Sequence, residues 1–366
     1  MPPATVSISR KRLTGLLEGM RRKRVVVVGD AMLDVYLAGD VERISPEAPV
    51  PVVRVRERRY ALGGAANVAQ NVAATGARVS LVAAAGTDAA GVRLRAMVEA
   101  IGSDSATIIA TERPTTCKTR VIARAQQMLR FDEEEDGDLA GPDVQRVLDT
   151  GLPTIRKAHA VILEDYNKGL LVPAVITAAI EAAEARGIPV VADPKFHNFF
   201  TYRGATIFKP NRRELESALG AAVNLDDAGA LPATFERLGV EHLLLTLGER
   251  GMTLVSADGR ARRIPTTARE VYDVVGAGDT VTAYLATALA AGATALEAAV
   301  IANYAAGVEV GKLGAATVAP DEIIEAWEHH EGLRVKGPGS GVRGWPLPVT
   351  RCRCSCALLV TRRLVV

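Results

Sequence analysis

Four consecutive valines, Val25 to Val28, run into Gly29-Asp30. An unbroken apolar run this short predicts a strand buried on both faces rather than a half-exposed one. Small and apolar positions then recur at helical spacing from Ala65 to Thr75 and stop at Gly76, which predicts a helix. The two patterns keep alternating. Further strands are predicted at Val79 to Ala84, His159 to Leu163, Ile188 to Ala192, Ala205 to Phe208 and His242 to Leu247. Further helices are predicted at Ala89 to Ala100, Val172 to Arg186, Arg212 to Leu219, Thr280 to Ala290, Ala295 to Val310 and Asp321 to His329. Met252 to Val255 and Ala261 to Ile264 read as a hairpin-like pair. Strand–helix alternation on this scale implies an α/β fold: a Rossmann-like, mostly parallel sheet sandwiched by helices. Ligands of such sheets bind beyond the carboxyl ends of the strands.

Two stretches break the rhythm. Pro51 to Arg59 alternates Val53 and Val55 with Arg54 and Arg56, a half-buried antiparallel pattern. Lys118 to Phe131 is also extended, and neither stretch leads directly into a helix. They predict a small β-sheet lid built from insertions at about 35–62 and 113–131. The body is then expected to span 25–331. A basic helical segment at 1–24 precedes it, and a linker-like, disordered tail at 332–366 follows. That tail carries Cys352, Cys354 and Cys356, whose spacing of two does not match a zinc site.

Composition narrows the function classes. Of 366 residues, 48% are hydrophobic and 23% charged, enough to bury a sizeable core. Lys+Arg number 44 against 42 Asp+Glu, so no global charge points to nucleic acid. Four cysteines, with only Cys117 in the body, exclude a dense disulfide framework and suggest a reduced compartment. No secretory leader and no apolar run long enough to span a bilayer is read, so a cytoplasmic location without membrane contact is expected.

The most specific segment is Asp273-Val-Val-Gly-Ala-Gly-Asp279-Thr280, at the start of an Ala-rich helix. Small residues there let backbone N–H groups and the helix dipole meet a phosphate. An aspartate at that point is within reach of an attacking hydroxyl, whose proton it would accept. Taken alone, the segment reads equally well as a glycine turn with an N-capping aspartate. The double glycine Gly63-Gly64 precedes a helix bearing Asn67, which offers donors and acceptors to sugar hydroxyls. Asp30 and Asp34 follow the first strand.

In order, these segments read GDxxxD, GGxxNxA, PNxxE, TxGxxG and DxxGAGD, and together they resemble the ribokinase-like, or PfkB, sugar kinases from Val25 to His330. The absence of GxxxxGK[ST] and of an HRD loop separates the chain from P-loop and protein kinases. Arg43 to Val52, Thr119-Arg120-Val121, Gln126-Gln127, Asp165 to Gly169, Asp193-Pro194-Lys195 and Val310 to Gly314 are similar to the heptose 7-phosphate kinases of that family. Asn167 and Val275 depart from that pattern, where alanine and threonine are more usual. Several such kinases carry a nucleotidyltransferase with an HxGH signature; no HxGH occurs here, so the kinase reaction alone is expected.

The resemblance implies ATP-dependent phosphorylation of the anomeric hydroxyl of D-glycero-D-manno-heptose 7-phosphate, for ADP-heptose and lipopolysaccharide core synthesis. The alternatives are a ribokinase- or fructokinase-type enzyme, or a non-catalytic sugar or nucleotide sensor. It implies Asp279 as general base, with Gly276, Ala277 and Gly278 as the anion hole. Asp34, Gly63, Gly64 and Asn67 would hold the sugar, and Lys118, Arg120 and Lys168 its phosphate. Lys195, Asn211, Glu214, Thr246, Gly248, Gly251, Asn303 and Gly307 would bind ATP. Mg2+ would be held mainly by ATP phosphates and water near Asn211 and Glu214. The resemblance also implies a homodimer formed through the lid, whose apolar face and open edges a second lid covers.

Overall fold

The computed structural model describes residues 7–124, 126–223 and 231–336. The chain enters through α1 (Arg10–Met20) and the all-valine strand β1 (Arg24–Gly29). One residue later it leaves the main sheet along β2 (Ala31–Ile44) and returns along β3 (Pro51–Gly64) into α2 (Ala65–Ala74). Then come β4 (Arg78–Gly86), α3 (Ala89–Ala100), β5 (Ile108–Thr111) and a second excursion, β6 (Cys117–Ala123) and β7 (Gln126–Glu133). The chain continues through α4 (Gly141–Ile155), β8 (Ala160–Glu164), α5 (Pro173–Glu184), β9 (Val190–Asp193), β10 (Ile207–Phe208), α6 (Arg212–Leu219) and α7 (Leu231–Leu238). It closes with β11 (His242–Thr246), β12 (Met252–Ser256), β13 (Ala261–Ile264), α8 (Ala277–Ala290), α9 (Ala295–Glu309) and α10 (Pro320–Lys336).

Among the described residues, nine strands form the main sheet in the order β13-β12-β11-β10-β9-β8-β1-β4-β5. All pairings are parallel except β11–β12 and β12–β13. The valine run explains itself here. Val25 and Val27 pack into one core with α1, α2, α3, α8, α9 and α10, while Val26 and Val28 pack into the opposite core with α4 to α7. The two excursions make one separate four-stranded sheet, β3-β2-β6-β7. It is the expected lid with one difference: its central pair, β2–β6, is parallel. Both strands leave the carboxyl edge of the parallel sheet, β2 after β1 and β6 after β5, so they run the same way.

Four elements depart from the sequence reading. β5, α4 and α7 were not expected, and α10 extends to Lys336, beyond the Glu331 boundary. The helix α4 opens on Gly141-Pro142 and contains Pro153, which read as turn signals; Val147, Gly151 and Ile155 nonetheless bury one face of it. The expected tail from 337 on lies outside the described residues. Among the described residues, no helix is long and apolar enough to cross a membrane.

Candidate active site

The carboxyl ends of β1, β8 and β9 and the residue after β10 bring Asp30, Glu164, Asp165, Asp193 and Lys209 together, all buried. α8 starts above them. Its N-cap, Gly276, has φ 94°, a conformation that strains any residue with a side chain. Ala277 and Gly278 complete a turn without bulk, as an anion site at a helix start requires. Of the three expected N–H groups, that of Ala277 is engaged at 3.4 Å by the Val274 carbonyl.

Asp279, in the same turn, is 6% exposed. Its Oδ2 accepts a hydrogen bond from Asn67 Nδ2 (2.6 Å), and its Oδ1 accepts one from the Tyr166 hydroxyl (2.9 Å). Burial pushes its pKa up to about 6, against the pull of these two donors. It therefore remains mostly ionised at neutral pH yet basic enough to take a proton. Beneath it, Lys209 Nζ pairs with Asp193 at 2.7 Å. Among the described residues, Glu164 finds no hydrogen-bond partner for either carboxylate oxygen, and burial, then Asp193, push its pKa well up.

The loop after β8 is fastened by two buried aspartates. Asp30 accepts the backbone N–H groups of Tyr166 (2.9 Å), Lys168 (3.0 Å) and Leu170 (3.1 Å). Asp165 accepts the Asn167 N–H (2.8 Å) and the Tyr202 hydroxyl (2.9 Å). Asp30 is thus an anchor of the loop.

On one side of the α8 start lies a cleft of about 610 Å³. It gathers most of the residues expected to bind ATP. Asn211, Thr246, Gly248 and Gly251 line it from the sheet, and Ala277, Gly278, Asn303 and Gly307 from α8 and α9. Val271, Val274, Val281 and Val310 make its walls largely apolar. Asn303 is committed inside the fold, its Nδ2 donating to the Pro265 carbonyl at 2.8 Å. Asn211 and Glu214 form a reciprocal capping box at the start of α6. Lys195 does not line the cleft; its Nζ pairs with Glu214 at 2.5 Å and lies 5.4 Å from the Tyr166 ring centre.

The lid side differs from expectation. Asp34 and Arg120, assigned separately to sugar and phosphate, are partners: Nη1 donates to Oδ1 at 2.5 Å. Lys118 Nζ pairs with Asp132 (3.1 Å) and Glu134 (2.7 Å), and Lys168 Nζ with Glu134 (2.9 Å) and Asp136 (2.5 Å). Lys118 and Lys168 meet at Glu134 while Arg120 pairs with Asp34, so each cation already has a carboxylate. Asn67, expected to contact the sugar, donates its Nδ2 to Asp279. Gly63 and Gly64 end β3 beside it. Sequence reasoning missed Tyr166 and Glu134 as members of the site. Tyr166 sits just past a strand end, the place where site residues of such sheets collect, and that was the available signal.

Comparison with known proteins bears on the family and the fold. The sequence model described as pfkB family carbohydrate kinase matches residues 22–322. The chain is 45% identical over 326 residues to the bifunctional protein HldE of Pelobacter propionicus, covering 87% of this chain and 66% of that protein. It is 44% identical to the bifunctional protein HldE of Rhodospirillum rubrum, covering 87% and 65%. The chain thus spans about two thirds of the length of these relatives. Its fold resembles Arabidopsis thaliana ribokinase complexed with ribose and ATP, at TM-score 0.64, 21% identity, and 84% and 99% coverage. It also resembles a tetrameric inhibited form of phosphofructokinase-2 from Escherichia coli, at TM-score 0.68, 18% identity, and 84% and 99% coverage.

Proposed function

The chain belongs to the pfkB family of carbohydrate kinases, and on that footing we propose that it transfers the γ-phosphoryl group of ATP to the anomeric hydroxyl of D-glycero-D-manno-heptose 7-phosphate. The observation that carries this reading is the placement of Asp279. It lies buried at the glycine-capped start of α8, whose first turn lines the apolar cleft, and it accepts a bond from Tyr166, two residues before Lys168.

In this reading ATP occupies the cleft with its phosphates toward Gly276, Ala277 and Gly278. Asp279 accepts the proton of the sugar hydroxyl as that oxygen bonds to the γ-phosphorus and the bond to the leaving ADP oxygen breaks. The side chains near Asn211 offer one amide and one carboxylate, each tied into the capping box, which suits contact with the water shell of Mg2+ better than direct ligation. Mg2+, when bound, would neutralise charge on the phosphates. At the far end, Lys118, Arg120 and Lys168 would face the 7-phosphate, since a buried dianion without partners is costly. The relatives named HldE support heptose as the sugar, and the product would serve lipopolysaccharide core synthesis.

ADP release from the wild type, compared across heptose 7-phosphate, free heptose, ribose and fructose, tests the reading. Highest kcat/KM on heptose 7-phosphate is expected. Preference for a free pentose or hexose would leave only a ribokinase- or fructokinase-type kinase.

We also propose a homodimer through the lid. β3 and β7 are open edges, and on β7 Met128, Leu129 and Phe131 are 41%, 57% and 44% exposed. A second lid would cover both features. Sedimentation showing a monomer at micromolar concentration would contradict it.

A further inference from the structure

We propose that Tyr166 is a positioning residue for phosphoryl transfer, fixing the Asp279 carboxylate through its hydroxyl and tying it to the loop that carries Lys168. This rests on the reading of Asp279 as the base.

The two donors to Asp279 come from different places. Asn67 projects from α2, a helix packed in the core, whereas Tyr166 projects from the loop after β8. A carboxylate that accepts one bond on each oxygen cannot turn about its Cβ–Cγ bond without breaking one of them. The loop is itself held firmly: Asp30 takes its alternate N–H groups and Asp165 caps it from within. Two residues beyond the tyrosine, Lys168 reaches Glu134 and Asp136 at the end of the lid sheet. One short loop therefore touches the base at one end and the lid carboxylates at the other. An acceptor that draws Lys168 away from those carboxylates acts on the segment that holds the base.

The hydroxyl also sets proton affinity. A bond donated to the charged form of a carboxylate favours that form. Other charged or titratable groups act on Asp279 through space: Glu164 from β8, Asp193 from β9, Lys209 after β10 and Glu309 from α9. Deleting the hydroxyl leaves them unchanged.

Tyr166→Phe keeps the ring near Lys195 and removes only the hydroxyl. The expected result with heptose 7-phosphate is a fall in kcat of about tenfold or more, the size of one lost bond to a charged group, with KM for ATP nearly unchanged. The acid limb of the kcat profile is expected to move up by about one pH unit. Carbon-13 titration of the Asp279 carboxyl in the free protein is expected to show the same upward shift, a readout that packing alone would not move. Wild-type kcat with an unshifted limb and an unshifted carboxyl would overturn the proposal. Asp279→Asn, run alongside, separates the two readings. If it is inactive while Tyr166→Phe behaves as wild type, only the proposal falls. If Asp279→Asn is active, the base assignment falls and takes the proposal with it.

Discussion

The cleft beside the start of α8 and the charged lid are unlike regions. The cleft on the nucleotide side is made by leaving side chains out: Gly248, Gly251, Ala277, Gly278 and Gly307 open its space, and valines wall it. Two of its polar residues are committed to the fold, Asn303 to the Pro265 carbonyl and Asn211 to the capping box. The lid side is made by filling space with charge, and every cation proposed for the sugar phosphate is met by a carboxylate of the chain itself. A pocket of the first kind is ready for an apolar ring as it stands. One of the second kind gives up internal pairs when an anion enters, and that exchange is where selectivity between phosphorylated and free sugars would arise.

The comparison can be broken most decisively at the boundary between the regions. Asp279→Asn is expected to lower kcat by about 10²–10⁴ while ATP still binds, because the carboxylate belongs to transfer and not to the cleft. Turnover near wild type, with calorimetry showing normal ATP binding, would remove the proposed base. On the nucleotide side, Gly307→Val tests whether absence of a side chain is what matters. A Cβ there would meet Thr267 Oγ1 at 2.5 Å and the Ala268 nitrogen at 3.0 Å, displacing the 266–268 strip that borders the cleft. KM for ATP is expected to rise by about tenfold with KM for the sugar little changed; equal rises in both would deny that the two regions are separate.

On the lid side, Glu134→Gln frees Lys118 and Lys168 from a shared charge. A fall of a few fold in KM for heptose 7-phosphate is expected, opposite in sign to the nucleotide-side variant; a rise would show that Glu134 holds the lysines in place for the substrate. A further effect concerns stability. Glu309, at the end of α9, is buried, and burial, then the charges of Asp273 and Asp279, raise its pKa from 4.5 to about 8. The folded protein thus binds a proton there that the unfolded chain releases between those values. Stability from this group is complete below pH 4.5 and is lost as pH rises through about 8. Melting temperature should fall over that window in the wild type, and less in Glu309→Gln.

The same contrast explains what could be read from the sequence. Val25 to Val28, the helix after Gly64 and the GAGD turn carry their structural instruction locally, in residue type and period. The nucleotide side was legible for that reason: a glycine motif states where side chains must be missing. α4 was not, because Gly141, Pro142 and Pro153 are breakers by local rules, and only packing of Val147 and Ile155 overrides them. The parallel pairing of β2 with β6 joins Leu33 to Cys117 across the whole of α2, β4, α3 and β5, and no local pattern encodes it. On the lid side the cations were identified from their types; Asp34 reaches Arg120 only through that long-range pairing, whereas Asp132 faces Lys118 across the neighbouring strands β6 and β7. Asn67 likewise offered groups suited to a sugar, and only the approach of α2 to α8 shows that it serves Asp279.

The account turns on whether the lid cations read a phosphate. The direct measurement is kcat/KM for wild type and Lys168→Ala, each with heptose 7-phosphate and with free heptose. Loss of a charge-assisted bond predicts a drop of about 10–150-fold on the phosphorylated sugar, with kcat/KM on the free sugar and KM for ATP nearly unchanged. Equal losses on both sugars, or none on either, would contradict it.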